Sequence, residues 1–379
     1  MSKSDPHVDA SIPVAGEYTF SEPAPEGLFE GFVLADKPRG LGSAALVGRL
    51  KHELKRRAAA AGAPRKIKVG HTGTLDRFAS GLMLLLTGRA TALADQFLHA
   101  DKAYVGRFQF GAFTDTHDSQ GEIIESVTPA EAQRFLKSEG ARIRRTILAL
   151  AEVTRQQPPL YSALKQDGRR FSDRARSGET ELPAERDIRV YDVDLKLWHA
   201  EAAAVDIDLH VSGGTYIRAF ARDLSRELDF PIHLAELRRY RLGRHVLPNT
   251  DADRSALPPE RLISGQGDTP AGEGRVWRPV FLENPGPEKT RDTSQVEEAS
   301  CVIRDVRGAL PEWPRLAVAP GEAPNIIQGR TVSSADLPAE PGTDFFIEVA
   351  AAAAGDAGRL LAWGRTIRPG AYKYMRVFG

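Results

Sequence analysis

The feature that most constrains this chain is residues 69–91, where a single carboxylate, Asp76, stands in a glycine-rich loop between a basic stretch and an apolar run. The segment reads Val-Gly-His-Thr-Gly-Thr-Leu-Asp-Arg-Phe-Ala-Ser-Gly-Leu-Met-Leu-Leu-Leu-Thr-Gly-Arg-Ala-Thr. Leu82–Leu86 has no polar face to offer solvent and is expected to be a buried strand. Gly70, Gly73 and Gly81 permit backbone angles that other residues resist. A loop of this kind ahead of a core strand can present its one carboxylate to a substrate. On this window alone, the simpler reading is an Asp that caps a surface turn.

The chain around it decides between the two. Gly31–Asp36 reads as a short apolar run ended by the Lys37-Pro38-Arg39-Gly40 turn. Ser43 is placed to cap a helix through Ala45, Leu46, Val47, Leu50 and Leu54. Ala90–Leu98 has helical spacing. Lys102–Phe110 alternates at period two, with Tyr104, Gly106, Phe108 and Phe110 on one face. Asp115 and Asp118 flank a polar glycine turn that invites a calcium reading. They lack the ligand spacing and closing Glu of an EF-hand loop, so a hydrogen-bonded turn is expected. A return strand over Glu122–Glu125, a helix over Pro129–Glu139 and a strand over Ala149–Thr154 follow. Gln157–Lys165 is proline-stiffened and feeds a helix with Phe171, Ala175 and Arg176. Ile188–Leu197 and Val205–Val211 read as strands, Tyr216–Leu228 as a helix, and Leu234–Leu242 as another short helix and turn.

Residues 1–27 lack periodicity and are expected to be a flexible tail. The main domain is placed at 28–250, a Pro/Gly-rich and polar linker at 251–300, and a small, mainly β domain at 301–379. Strands pairing at turns, with helices interspersed irregularly, give an α+β expectation with a mixed, mostly antiparallel sheet.

The 51 basic and 51 acidic residues cancel, which argues against coating nucleic acid by bulk charge. The basic residues are nevertheless gathered. Lys51, Lys55, Arg56, Arg57, Arg65, Lys66 and Lys68 form one block, Arg238, Arg239, Arg241, Arg244 and His245 a second, and Arg142, Arg144 and Arg145 a third. A solvated helix face is the default for any one block, and together they suggest a polyanionic partner. One cysteine, Cys301, allows neither an intrachain disulfide nor a cysteine metal site. No run approaches the roughly 20 apolar residues of a membrane helix, and Met1–Asp9 has no leader pattern, so a cytoplasmic protein is expected.

Taken in order, these pieces resemble the TruB family of pseudouridine synthases. Lys37-Pro38-Arg39-Gly40 is similar to the family's Lys-Pro-x-Gly motif, and Gly70–Asp76 to its Gly-His-x-Gly-x-Leu-Asp loop. Lys102-Ala-Tyr104 is similar to Lys-x-Tyr, Thr114–Gly121 to the aspartate-glycine turn after it, and Gln157–Lys165 to a further family segment. Gly214-Thr-Tyr-Ile-Arg218 and Leu237-Arg-Arg239 with Leu242-Gly243 complete a series across residues 31–245. Arg77 stands where the family usually has Pro, Ser80 where it has Thr, and Gly42-Ser43 where the first motif continues as Thr-Ser. Residues 301–379 resemble the family's small PUA-type RNA-binding domain faintly.

The resemblance implies a pseudouridine synthase fold and isomerisation of the T-loop uridine at tRNA position 55. Asp76 would attack the sugar C1′ or help remove a C2′ proton. Arg218 would pair with Asp76 and keep it ionised. Tyr104 would stack on the base and serve in proton transfer at C5, with core packing as its alternative. Tyr216 and Leu237 would line the pocket, and His71 would face RNA. Lys51, Lys55, Arg56, Arg57, Lys66, Lys68, Arg238 and Arg239 are the expected phosphate contacts. No cofactor or metal is implied. The expected partner is the tRNA T-arm, bound by a monomer. A tRNA-folding chaperone and a guide-RNA-dependent dyskerin-like synthase are the competing readings. A glycosidase would want a second paired acid.

Overall fold

The computed structural model describes residues 30–60, 62, 66–247, 303, 307, 309–310, 312–331, 336–349, 360–369 and 371–378. The expected tail at 1–27 and linker at 251–300 lie outside the described residues. Among the described residues two compact units emerge, one built from residues within 33–85 and 93–247, the other from residues within 303–378 with the short segments 30–32 and 86–92.

Strand β1 (Gly31–Lys37) leads through the proline turn into helix α1 (Ser43–Ala60), whose buried stripe is Leu46, Leu50, Leu54 and Ala58. The short strand β2 (Val69–His71) and the Asp76 loop follow, then the buried strand β3 (Ser80–Thr87). A 3-10 turn at Gly88–Leu93 precedes helix α2 (Ala94–Leu98) and the long strand β4 (Lys102–Phe110). The polar turn joins β5 (Ala112–Thr114) to β6 (Ile123–Ser126). Thr128 opens helix α3 (Pro129–Ser138) with a reciprocal capping box to Glu131, and helix α4 (Gly140–Ala149) follows. The proline-stiffened stretch is flanked by short paired strands: β7 (Arg155–Gln156) pairs with β10 (Arg186–Asp187), and β8 (Lys165–Gln166) with β9 (Arg169–Arg170) ahead of helix α5 (Phe171–Arg176).

The chain then returns to the sheet as β11 (Val190–His199) and β12 (Ala204–Val211), crosses it as helix α6 (Ile217–Leu228), and closes with β13 (Ile232–Leu242) and β14 (His245–Val246). The order across the sheet is β1-β3-β13-β4-β12-β11, with β2 on β3 and β14 on β13. β13 runs parallel to β3 and antiparallel to β4, so the expected α+β class with a mixed, mostly antiparallel sheet is what forms. On the inner face Leu209 opposes Tyr104, Ile207 opposes Gly106 and Val205 opposes Phe108. The α6 stripe of Ile217, Phe220, Ala221, Leu224 and Leu228 is buried in the same unit, and α6 packs on β13. Phe108 and Phe220 are withdrawn completely from water, each contributing about 2–3 kcal/mol of burial free energy.

Four local expectations are corrected. Leu234–Leu242 is strand, not helix. Bulges between Leu234 and Glu236 and between Arg239 and Arg241 each insert a residue, which turns strand alternation into the three-residue spacing of Leu234 and Leu237. Ala149–Thr154 is not a strand, because Leu150 continues the buried Ile143 and Ile147 stripe of α4 into a 3-10 turn at Leu150–Glu152. Ser43 lies inside α1 and bonds to the Asp76 loop rather than capping the helix. Gly73 and Gly81 adopt positive φ but Gly70 does not, since it belongs to β2.

In the second unit β15 (Arg315–Val318), β16 (Asp344–Val349), β17 (Leu360–Arg368) and β18 (Ala371–Val377) form a four-stranded sheet in that order. Helix α7 (Ala323–Ile327) places Ile326 in its core with Leu316, Val318, Phe345, Ile347, Leu361 and Tyr372. Asp344 takes a two-toothed ion pair from Arg365 and a bond from the Trp363 indole.

Candidate active site

The Asp76 loop is held from below by the turn after β1. Lys37 is buried at the strand end, and its ammonium donates to the carbonyls of Pro38, Leu41 and Ala79. Burial lowers its pKa to about 8 even though the nearby Asp76 charge opposes the shift. Ser43 Oγ accepts from the Leu75 amide at 2.8 Å and donates to the Leu75 carbonyl at 2.7 Å, clamping the residue before Asp76 on both sides. The Gly40 amide donates to the Arg77 carbonyl at 2.6 Å, and the Ala79 amide to the Asp76 carbonyl at 3.2 Å. The loop around Asp76 is therefore tied to α1 through Ser43 and to the turn after β1 through Lys37 and Gly40. At Gly81 (φ +111°) a Cβ would come within 2.1 Å of the Arg239 carbonyl oxygen, so only glycine allows β3 to lie this close to β13.

Arg218 sits on the first turn of α6, 5% exposed, and reaches Asp76 across 142 residues of sequence. Its Nε donates to Asp76 Oδ2 at 2.8 Å, Nη1 to the Thr116 carbonyl at 3.1 Å and Nη2 to the Tyr161 carbonyl at 2.9 Å. Asp118 Oδ2 stands 3.5 Å from the same Nε. The polar turn after β5 thus supplies both a carbonyl and a second carboxylate to this guanidinium. Asp118 accepts through Oδ1 from the Thr116 hydroxyl at 2.7 Å and the Gln120 amide at 2.9 Å. Burial raises the Asp118 pKa, against the pull of Arg218 and these bonds. A guanidinium fixed on three sides can hold a carboxylate in one orientation. The Asp76 side chain remains 42% exposed, and among the described residues its Oδ1 carries no hydrogen bond.

Tyr104 lies on β4 and is 6% exposed. Burial raises the pKa of its phenol, and the charge of the neighbouring Arg239 guanidinium pulls it back. Leu237 opposes Gly106, where a Cβ would stand 3.6 Å from Leu237 Cδ1 and 3.0 Å from Leu234 Cδ1, so the glycine makes room for both leucines. Tyr216 is fixed by Gln156, whose amide donates to the Tyr216 carbonyl at 3.1 Å and accepts from the Tyr216 amide at 2.8 Å. The Arg186 guanidinium sits 5.7 Å above its ring. His71 is half-buried at the end of β2, with Nδ1 accepting from the Gly73 amide at 3.3 Å. Burial, then the charges of Arg239 and Arg170, lower its pKa and favour the neutral ring.

The expected basic surface divides. Lys51, Lys55 and Arg56 on α1, with Lys66 and Lys68 after it, are exposed. Arg57 is drawn onto Glu53 at 2.6 Å and is mostly covered. Arg238 and Arg239, expected as exposed phosphate contacts, are instead buried. Arg238, 8% exposed, makes a two-toothed pair with Asp36 on β1 at 2.8 and 3.1 Å. Arg239, 1% exposed, donates from Nε to the Leu82 carbonyl at 2.7 Å. Adjacent arginines on a central strand project to opposite faces, and both faces are covered here. Lys37 and Gln156 were given no role from the sequence, Asp118 was read as part of a hydrogen-bonded turn, and Ser43 as a helix cap. The signal for Asp118 and Lys37 lay inside the matched motifs, as the aspartate of the polar turn and the lysine of the first turn, whereas Gln156 precedes the matched Gln157–Lys165 segment.

Residues 58–217 match the model of the TruB family pseudouridylate synthase, N-terminal domain. The chain is 35% identical over 240 residues to the tRNA pseudouridine synthase B of Leptospira interrogans, covering 62% of this chain and 74% of that protein. It is 37% identical over 247 residues to that of Bordetella avium, covering 64% and 94%. Among solved structures, a chain of a Cbf5-Nop10-Gar1 complex shares the fold at 18% identity and a TM-score of 0.56, over 98% of this chain and 92% of its own. With a loop-borne carboxylate paired to a buried arginine and relatives matched over most of their length, the chain belongs to the TruB family of pseudouridylate synthases.

Proposed function

We propose that this chain is a tRNA pseudouridine synthase that isomerises the T-loop uridine at position 55, with Asp76 as its reacting carboxylate. The observation that carries the reading is the half-tethered state of Asp76: Arg218 holds Oδ2 at 2.8 Å, while the side chain stays open to an incoming ribose. Oδ1 is then the oxygen that attacks C1′ or takes the C2′ proton. The N1–C1′ bond breaks, the uracil turns, C5 bonds to C1′, and the C5 proton leaves as N1 gains one. Tyr104 covers the base and serves at C5, while Tyr216 and Leu237 line the pocket. The names of the relatives support tRNA as the substrate.

The target uridine must leave its stack, at a cost of a few kcal/mol. His71 faces RNA at the loop edge, and the exposed Lys51, Lys55, Arg56, Lys66 and Lys68 take phosphates of the T-arm. Residues 28–250 form the catalytic domain of a monomer that needs no protein partner. Residues 251–300 link it to a PUA-like RNA-binding domain at 301–379, and the protein works in the cytoplasm on tRNA.

The test is to incubate unmodified tRNA transcripts with wild type and Asp76→Asn, then map pseudouridine by chemical labelling and primer extension. Wild type is expected to mark the T-loop without guide RNA, and Asp76→Asn to leave it unmarked. A wild type that marks RNA only when guided assigns a dyskerin-like activity. Unmarked RNA under every condition, with binding and refolding intact, assigns a chaperone.

A further inference from the structure

Four arginines are buried among the described residues, and three have carboxylate partners: Arg218 with Asp76, Arg238 with Asp36, and Arg307 with Glu348. Arg239 is the exception, with no carboxylate within ion-pair distance among the described residues. Its Nε is used by the Leu82 carbonyl, and its Nη2 is buried without a hydrogen-bond partner. A desolvated charge without a counter-ion is costly, and each unsatisfied buried donor adds to the cost. Such a group calls for a role that an apolar residue could not fill.

The sheet register shows what that role is. Arg239 on β13 stands directly opposite Tyr104 on β4, on the inner face. Beside them, Leu209 of β12 and Leu237 offer no charge, and Asp76 from the loop is the anion near the phenol. The Arg239 charge acts on the Tyr104 phenol, and Nη1 stands 4.0 Å from the position a Cβ would take on Gly73. Burial, with the Arg239 charge adding to it, also favours the neutral forms of His71 and Lys102. The cation therefore sits at the back wall of the site, fixed by β3 and aimed at a phenol.

We propose that Arg239 is a positioning residue for Tyr104: its guanidinium donates to the phenolic oxygen, fixes the ring, and lowers the cost of negative charge on that oxygen. The role in turnover rests on the reading of Tyr104 as the group beside the target base. The contact itself does not depend on that reading, and the test separates the two.

Full-length protein carrying tyrosine labelled with 13C at Cζ gives one resonance per tyrosine, and Tyr104→Phe identifies the one that belongs to Tyr104. In Arg239→Met that resonance is expected to move and to titrate at higher pH than in wild type, while Arg239→Lys keeps it closer to the wild-type position. A folded Arg239→Met whose Tyr104 resonance and titration match wild type overturns the proposal. Should Arg239→Met not fold, Arg239→Lys carries the measurement with a smaller displacement expected, and no displacement overturns it. This arm holds whether or not the protein modifies tRNA. In single turnover on a T-loop transcript, Arg239→Met should slow the reaction roughly 10- to 100-fold, the loss of a charge-assisted bond, with tRNA binding unchanged. In the Tyr104→Phe background the same change should add less than about 3-fold. Equal losses in both backgrounds would mean that Arg239 only braces β3.

Discussion

Arg218 donates from Nε to Asp76 Oδ2 at 2.8 Å while Nη1 and Nη2 donate to the Thr116 and Tyr161 carbonyls. The pair is asymmetric, since the arginine is buried and the carboxylate is half open. Arg218→Lys keeps the charge but loses the planar fork that reaches three acceptors at once. It is expected to lower the single-turnover rate on tRNA by about 100-fold, with tRNA affinity changed far less, as befits a group that orients the carboxylate. Arg218→Ala should in addition lower stability by about 1–3 kcal/mol, because the Thr116 and Tyr161 carbonyls lose their donor and the buried Asp118 loses its cation. Rapid-mix kinetics beside filter binding and urea unfolding check both parts. Equal losses in rate and affinity would place Arg218 in RNA binding instead.

Ser43 is a second hold on the same loop. Its hydroxyl makes two bonds to the Leu75 backbone, and Ser43→Ala removes both while leaving the α1 backbone intact. A buried amide and carbonyl are then left without partners, which costs about 1–3 kcal/mol. The expected result is a lower urea midpoint together with a reduced kcat at unchanged KM, since the loop bearing Asp76 loses its anchor. Ser43→Thr, which restores the hydroxyl, should recover most of both. A variant with wild-type kcat would show that the Lys37 contacts suffice to hold the loop.

The two basic blocks should respond to substitution in opposite ways. Lys51→Ala or Lys55→Ala removes an exposed charge from α1, so tRNA affinity should fall and the slope of log affinity against log salt should drop by about 1, with stability unchanged. Arg238→Ala leaves Asp36 in a largely covered site and should destabilise the protein by about 3 kcal/mol with an unchanged salt slope for the folded fraction. Titrations at several salt concentrations, beside thermal unfolding, separate the two. An altered salt slope in a fully folded Arg238→Ala would return that residue to the RNA surface.

The contrast between these blocks shows what the sequence could and could not carry. Composition and spacing read Arg238 and Arg239 as a charged run, and nothing local says that they sit on a central strand between β3 and β4. The period-two strands β4 and β12 and the apolar stripe of α6 were legible because a single periodicity reports which face is buried. β13 was not, because its two bulges break the period where the sheet bends. The convergence of Asp76, Tyr104 and Arg218 came from the resemblance, not from spacing. Asp118 joined them only once the polar turn was seen to fold back under α6. Long-range ion pairs leave no local pattern, so a carboxylate in a turn looks the same whether it caps the turn or orders an active site.

That turn also carries an acid-sensitive group. His117 adopts positive φ at the turn apex, packs its ring 5.3 Å from that of Phe113, and has a buried Nδ1 without a partner. Burial, then the charges of Arg222 and Arg218, lower its pKa from 6.5 to about 4. The folded protein therefore binds fewer protons than the unfolded chain between about pH 4 and 6.5. Stability must rise with pH across that window, be complete above it, and be lost progressively as pH falls through it, levelling off below about pH 4. The contribution is about 1–3 kcal/mol after allowing for partial exposure. His117→Asn keeps a residue that tolerates positive φ and removes the proton site. Its unfolding free energy should vary less between pH 6.5 and 4 than that of wild type. Because a protonated His117 would add a cation beside Arg218 and Arg222, catalytic activity in wild type should fall with stability over the same window. In His117→Asn the two should separate, with activity retained to lower pH. Parallel pH profiles for the two proteins, by urea unfolding and by tRNA turnover, would instead assign the acid sensitivity to other groups.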